Sequence, residues 1–518
     1  MRRPRRRSLR ERLEGLPWFA ITAAIAVLIG LLLRLKGIHN PILDHPNWRQ
    51  GDMASVARNF AQLQYNPLYP QADYDGAPPN YVELELQIVP FLAATLYKLV
   101  GIHEIFGRLI TIGFSLATVW VLALFGRWLF ANPSAGIAAA IAYAIMPGSV
   151  YYGRTFTPDA TMVFFLAAAL YVGSHMLVED EALGWGTVAR ATALVTLAYL
   201  AKSVAVVAAL PLLAVAIARR RAGRTMPVLQ LATFFVVPFL VLGSYDRDVS
   251  SHAEWHWASG IMTLHVIPEL LAAFGSGGDF ANKLGQFWTM LDSLRATMIG
   301  TAMSVLAVIG FVALPFLRVR SRSLLWAWLA GGLLYTFVVV TVERVDYYMF
   351  LLLPLAALAI AALATFLSDL VGTRVTRFGP ALVTAAVILA AWCAIDGVNA
   401  VGPYYTYNKQ AYRDAIALNA TLDPHALVVM AHYGPDVLYY MNRFGWEEDP
   451  LLWRPFDQKS AIRKGARYFI SIEDRRMRRN VALCTWLQQF PLLAKSGASW
   501  PVYETDFAKR RAKPGSCG

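Results

Sequence analysis

A polytopic α-helical membrane protein with a small α/β domain at its C-terminal end is the fold class this sequence predicts. Three observations predict it. The 518 residues are 57% hydrophobic and only 16% charged, with a mean hydropathy of +0.44, whereas a soluble chain of this size carries about a quarter charged residues. Apolar runs of bilayer-spanning length recur from about residue 17 to about 399. After about residue 400 short apolar runs alternate with amphipathic ones, the pattern of strands and helices in turn.

The chain opens with MRRPRRRSLR ahead of an apolar run that starts at Pro17. The charge suits a signal peptide, but no small-residue cleavage site follows. It is therefore read as an uncleaved first helix with its basic end in the cytoplasm. Apolar segments lie near 17–36, 86–101, 106–126, 134–151, 158–178, 187–201, 203–218, 227–244, 297–317, 324–342, 347–369 and 379–399. Three basic stretches should be cytoplasmic by the positive-inside rule: 219–224 (RRRAGR), 318–323 (RVRSRS) and the one carrying Arg374 and Arg377. They fall on one side together only if one upstream segment does not span. Segment 86–101 is short, follows an acidic loop and carries Tyr97 and Lys98, so it is assigned as an amphipathic helix on the outer surface. About eleven spans remain, with the C-terminus outside. Segments 187–201 and 203–218 meet at Lys202 and read as a short hairpin that crosses the bilayer only with difficulty.

In the tail, 426–432 and 466–472 read as buried strands, and 436–444 and 480–490 as helices. That alternation predicts a partly parallel sheet. The expected domains are 1–399, a membrane domain with an outer loop at 37–105 that carries juxtamembrane helices, and 400–518, an extracytoplasmic α/β domain.

The net charge is +13, from 47 basic and 34 acidic residues. The basic residues sit in short loops without interleaved aromatics, which fits membrane orientation and anionic lipid headgroups and excludes nucleic acid as a partner. There is no GxGxxG and no P-loop, so no nucleotide cofactor is expected. Three cysteines form neither a CxxC nor a zinc pattern; Cys484 and Cys517 are equally compatible with a disulfide and with free thiols.

The chemistry concentrates in the outer loop, which holds Asp44, His45, Arg49, Asp52, Asp73, Asp75, Glu83 and Glu85. Asp52, in WRQGDMASVARNF at the start of a helix, can accept a proton from a substrate hydroxyl or simply cap the helix. Asp44 sits in a Pro-rich approach where carboxylates commonly form turns. Glu83 and Glu85 stand two residues apart; one can face water, or both can join Asp52, Asp159 and a histidine, His256, around a divalent cation. Arg154 and Asp159, in YYGRTFTPDA, bracket the outer end of a span, where charges are paired or functional. Arg154 can clamp a phosphate or pair with Asp159. Lys202 is a second phosphate candidate unless it only snorkels. Arg344 in TVERVDYYMFLLLP, beside Tyr347 and Tyr348, reads as the rim of the same cavity. His252 and His256 have the i,i+4 spacing of a metal pair if helical.

Four features, in order, resemble the GT-C integral-membrane glycosyltransferases, in particular the bacterial branch related to aminoarabinose lipid A transferases and protein O-mannosyltransferases. They are an acidic first outer loop ending in AxxARNF (54–60), the amphipathic segment after Glu83, GRTFTPD before a span, and RVDYYMFLLLPLAAL (344–358). The resemblance covers most of the chain. Many members carry an Asp-Glu pair that, aligned on Ala57 and Arg58, falls here on Arg49 and Gln50; the acid is displaced to Asp52, and Asp44 stays a candidate. The resemblance implies an inverting transferase at the outer face of a bacterial inner membrane. It would move one sugar from a polyprenyl-phosphate donor to a lipid, glycan or protein acceptor. Asp52, Asp44 and Glu83 would be catalytic. Arg154, Lys202, Arg344, Tyr347 and Tyr348 would lie at the donor phosphate, and Glu83, Asp159 and His256 at a divalent cation. The alternatives are a lipid-linked glycan ligase or polymerase, and a lipid or sugar transporter. The transporter predicts repeated halves and mid-span acids, and the sequence has neither.

Overall fold

The computed structural model describes residues 18–371, 379–511 and 517; the basic N-terminal run and the stretch with Arg374 and Arg377 lie outside the described residues. The first span, α1 (Trp18–Arg34), leads into the outer loop, whose helix α2 (Asn47–Gln62) is polar in sequence yet buried at every position from Arg49 to Phe60. A polar helix buried on all sides has to be enclosed by protein that pairs its charges. One partner is α3 (Ile88–Val100), the expected amphipathic helix. Between them β1 (Val82–Glu83) pairs in parallel with β2 (Trp255–His256).

The membrane layer continues with α4 (Ile105–Leu129), α5 (Pro133–Ile145), α6 (Asp159–Glu179), α7 (Trp185–Ala201), α8 (Ala209–Arg221) and α9 (Val228–His252). It closes with α10 (Gly277–Ser293), α11 (Thr301–Ala313), α12 (Arg322–Tyr335), α13 (Leu353–Val371) and α14 (Gly379–Ala400). The caps are legible: Asn132 accepts from Ser134 N with Pro133 in the first turn of α5, and Ser276 accepts from Asp279 N at α10. Among the described residues seven helices are long and apolar enough to cross a bilayer. An eighth is formed if 277–299 and 301–316, bent by 107°, count as one span. The bend sits at Gly300, whose φ of +90° only glycine adopts without strain. The expected eleven is reached only by counting shorter apolar helices such as α1 and α5. The 203–221 arm of the expected hairpin passes the length test, so it needs no special accommodation. Residues 245–296, left between the expected apolar segments 227–244 and 297–317, are mostly helical: α9 runs on to His252 because its polar end packs on β1, Tyr245 donating to Leu84 O at 3.0 Å.

The tail forms α15 (Lys409–Thr421) and a four-stranded sheet of order β4-β3-β5-β6. Strands β3 (Leu427–Ala431), β4 (Gly445–Glu448) and β5 (Ala466–Ile470) are parallel, and β6 (Val502–Glu504) is antiparallel to β5. The two expected strands are present, and the partly parallel sheet is as read. Helix α16 (Pro435–Met441) lies against α2, and α17 (Val481–Leu487) carries Cys484, disulfide-bonded to Cys517. One buried cluster joins Met53, Val56 and Phe60 of α2 to Leu418 and Leu438 of the tail. Outer loop and tail are thus one packed layer on the membrane domain.

Candidate active site

Asp44 is fully buried and saturated. Its Oδ1 accepts from Arg108 at 2.9 Å and Gln50 at 2.7 Å, and its Oδ2 from Arg154 at 2.6 Å. Arg154 also donates to Gly37 O at 3.0 Å. A buried carboxylate with two guanidiniums holds the loop to α4 and to the turn before α6. The Asp44 oxygens are fully engaged, whereas Arg154 keeps an unpartnered, buried Nε. Asp44 and Arg154 thus form a buried clamp, and the partner of Arg154 is Asp44, not Asp159.

Asp52 faces elsewhere on α2. It is 3% exposed, lies 3.6 Å from Arg49 Nη1, and takes a hydrogen bond from Tyr74. Burial pushes its carboxyl up to about 7, against the lowering pull of Arg49 and Tyr74 and with a raising push from Glu85. Arg49 forms its closer ion pair with Glu85. Deeper in α2, Arg58 pairs with Asp73, and Asn59 donates to Asp73 at 3.0 Å; these shape the loop and not the site.

Beyond Arg49 opens a cavity of about 360 Å³. One end is polar, with Arg49, Glu85, Lys202 and Tyr348; Val204, Val206, Val207 and Val339 form an apolar wall. Lys202 stands where α7 ends in extended backbone before the turn Ser203–Ala208, so a chain break delivers a cation inside an apolar bundle. Its Nζ bonds Asp159 at 2.6 Å and lies 4.6 Å from the ring of Tyr348 and 5.1 Å from that of Tyr347. Around it the hydroxyls of Tyr335 and Tyr347 and Oδ2 of Asp159 are buried without a hydrogen-bond partner. Buried polar atoms in that state mark a place for a polar ligand. Lys202, Tyr347 and Tyr348 thus come together as expected. Arg344 does not: it closes a helical turn in the left-handed region (φ +54°) and is exposed. Asp346 is held by Tyr152 at 2.6 Å and Tyr404 at 2.5 Å.

The cation trio is not assembled. Asp159 is bound to Lys202, while both oxygens of Glu83 accept from serines: Oε1 from Ser250 Oγ, Oε2 from Ser259 N and Oγ. His256 lies 3.7 Å from Glu83, but no group of three suitable side chains occurs among the described residues. The helical His252–His256 pair fails too, because α9 ends at His252, which stacks on Tyr69, and His256 belongs to β2.

The tail closes the site from outside. Asn47 donates to Asp436 at 2.7 Å, and Gly434 N donates to Glu447. Burial pushes Glu447 up to about 8, opposed by Gly434 and reinforced by the negative charge of Asp52. His432 loses from burial but gains more from Asp436 and Glu473, ending at about 9. Tyr335 and Glu447 escaped the sequence reading, which named Arg49 and Glu85 among the loop charges without pairing them. Only Arg49, one helical turn before Asp52, carried a usable signal.

The family model for dolichyl-phosphate-mannose-protein mannosyltransferases matches residues 87–245. The fold is similar to that of ArnT from Cupriavidus metallidurans bound to undecaprenyl phosphate, with a TM-score of 0.57 at 16% identity over 96% of this chain and 99% of that one. It is also similar to the same protein in the apo state, with a TM-score of 0.53 at 14% identity over the same shares. No curated protein matches the chain in sequence. At this identity the likeness is one of fold, and it agrees with the GT-C resemblance.

Proposed function

We propose that the chain is a membrane glycosyltransferase that moves a sugar from a polyprenyl-phosphate donor to an acceptor hydroxyl at the outer face of a bacterial inner membrane. The observation that carries this reading is the cavity lined by Arg49 and Lys202, a cationic and hydroxyl-lined end joined to an apolar wall. That combination suits a phosphate attached to an isoprenoid. The likeness to an ArnT structure that holds undecaprenyl phosphate supports it.

In this reading Val204, Val206, Val207 and Val339 hold the first isoprene units. Lys202 and Arg49 face the phosphate, with the hydroxyls of Tyr335 and Tyr348 as further donors. The acceptor oxygen attacks the anomeric carbon from the side opposite the phosphate and passes its proton to Asp52. The bond to the phosphate oxygen breaks, configuration inverts, and the cations stabilise the charge that develops on the departing lipid phosphate.

The test is incubation of purified full-length protein in lipid with radiolabelled polyprenyl-phosphate monosaccharides and a membrane extract. Wild type should transfer label, Asp52→Asn should lose about 100-fold or more, and Lys202→Met should raise the donor KM. Consumption of no monophosphate donor would overturn the reading in favour of a ligase or a transporter. Transfer surviving in Asp52→Asn would move the base to Glu85. Chelation in the same assay tests the divalent cation, for which Glu83 and His256 remain adjacent.

A further inference from the structure

The arginines that orient the chain in its membrane do more than carry charge. Four of them, Arg219, Arg224, Arg320 and Arg322, line a single cavity of about 490 Å³ together with Ser321 and Ser323. The cavity lies at the far end of the helices that carry the Asp52 site. It adjoins the last turns of α6, whose 21 residues separate it from Asp159 by about 30 Å.

Among the described residues one of the four arginines bonds a carboxylate: Arg320 pairs with Glu179. Arg219 donates to the backbone oxygens of Leu177 at 2.9 Å, Asp180 at 2.7 Å and Glu181 at 2.6 Å. Arg224 and Arg322 donate to the carbonyls of Val178 and Leu317. The Asp180 carboxylate is taken up by the amides of Ala182, Leu183 and Gly184. Among the described residues Arg219, Arg224 and Arg322 are therefore oriented by carbonyls and bond no carboxylate, with Asp180 and Glu181 near enough to Arg219 to offset part of its charge. The cavity also meets the start of α12, where Ser321 makes no side-chain cap, so first-turn amides add their dipole. Leu177, Val178 and Val215 supply an apolar wall.

We propose that this cavity binds the phosphate of an anionic lipid, with the acyl chains along the apolar wall and the headgroup between Arg224, Arg322 and Ser323. The site is separate from the donor cavity and would tie the bundle to the lipid composition of the opposite leaflet.

Native mass spectrometry of the full-length protein, with phosphatidylglycerol and phosphatidylcholine as probes, tests it. Wild type should retain one phosphatidylglycerol and no phosphatidylcholine. Arg224→Gln/Arg322→Gln should weaken retention about tenfold or more. Arg190→Gln/Arg318→Gln, which removes the same charge at the same end outside the cavity, should not. Should the first pair fail to fold, Ser323→Glu places a carboxylate at the headgroup position and should also abolish retention. Equal retention of both lipids, or retention unchanged in a folded cavity variant, would overturn the site. Displacement of phosphatidylglycerol by inorganic phosphate at matching concentration would overturn the lipid assignment and leave a soluble phosphate ligand; no displacement supports the lipid.

Discussion

Arg49 stands between two carboxylates, and the division of its charge sets what Asp52 can do. Glu85 holds it closely, Asp52 from 3.6 Å. Burial therefore keeps Asp52 near 7 despite the neighbouring cation, where a base is half ionised under ordinary conditions. A base works when deprotonated, so transfer should rise as pH increases through about 7 and level off above it. Arg49→Gln removes the charge that holds the carboxyl down, and the midpoint of kcat/KM against pH should move alkaline by about one unit or more. A pH–rate profile of the two proteins checks this; coincident midpoints would mean that Asp52 is not the titrating base. Stability has the opposite sense. The folded carboxyl binds its proton more tightly than the unfolded one, so stability falls as pH rises from about 4 to about 7, and Asp52→Asn should unfold at a higher temperature than wild type at pH 8. Asp52 and Lys202 were legible in the sequence because a charge beside an apolar run has to be justified. Glu85 was not identified as Arg49's partner, since their pairing spans 36 residues and exists only after folding. Asp44 and Arg154 were legible as unusual, but their pairing with each other across 110 residues was not, because it exists only after folding.

At the scale of elements, α2 is held in place by the tail. Gly51 lets α16 approach so closely that a Cβ there would sit 2.7 Å from Asp436 N and 2.8 Å from its Cα, both backbone atoms that cannot swing aside. Gly51→Ala should push α16 off α2 at a cost of about 1–3 kcal/mol and loosen the Asn47–Asp436 bond one turn earlier. Hydrogen exchange should quicken in 434–441 while α4 and α6 stay protected, and transfer should fall without a change in donor binding. Unchanged exchange there would show that the approach tolerates a methyl group. Long apolar helices were legible because their length has no other use, and the same reading stopped α9 at 244, where its composition turns polar. The eight further residues to His252 are helical because Tyr245 and Ser250 find partners on the outer loop, which periodicity cannot report. Strands β4 and β6 were missed because four and three residues give too few repeats for an alternation.

For the whole molecule, the two polar ends of the bundle differ in kind. One end carries paired carboxylates and the packed layer of outer loop and tail; the other carries the arginine-lined cavity. Basic residues stay on the cytoplasmic side, so the proposed orientation puts the arginine cavity in the cytoplasm and the tail, with its Cys484–Cys517 bond, on the opposite side. Among the described residues the remaining cysteine, Cys393, is buried, which leaves little background for thiol labelling. In intact cells a membrane-impermeant maleimide should therefore modify Ser276→Cys, exposed beside the site end of α10, and should modify Ala222→Cys, exposed beside the arginine cavity, only after the membrane is opened. The reverse pattern would put Asp52 in the cytoplasm, where a donor assembled on the outer leaflet could not reach it, and would overturn the catalytic reading together with the orientation. Labelling of both in intact cells would show that 228–252, the candidate span between the two positions, does not cross the bilayer, and that the parity of spans has to be recounted.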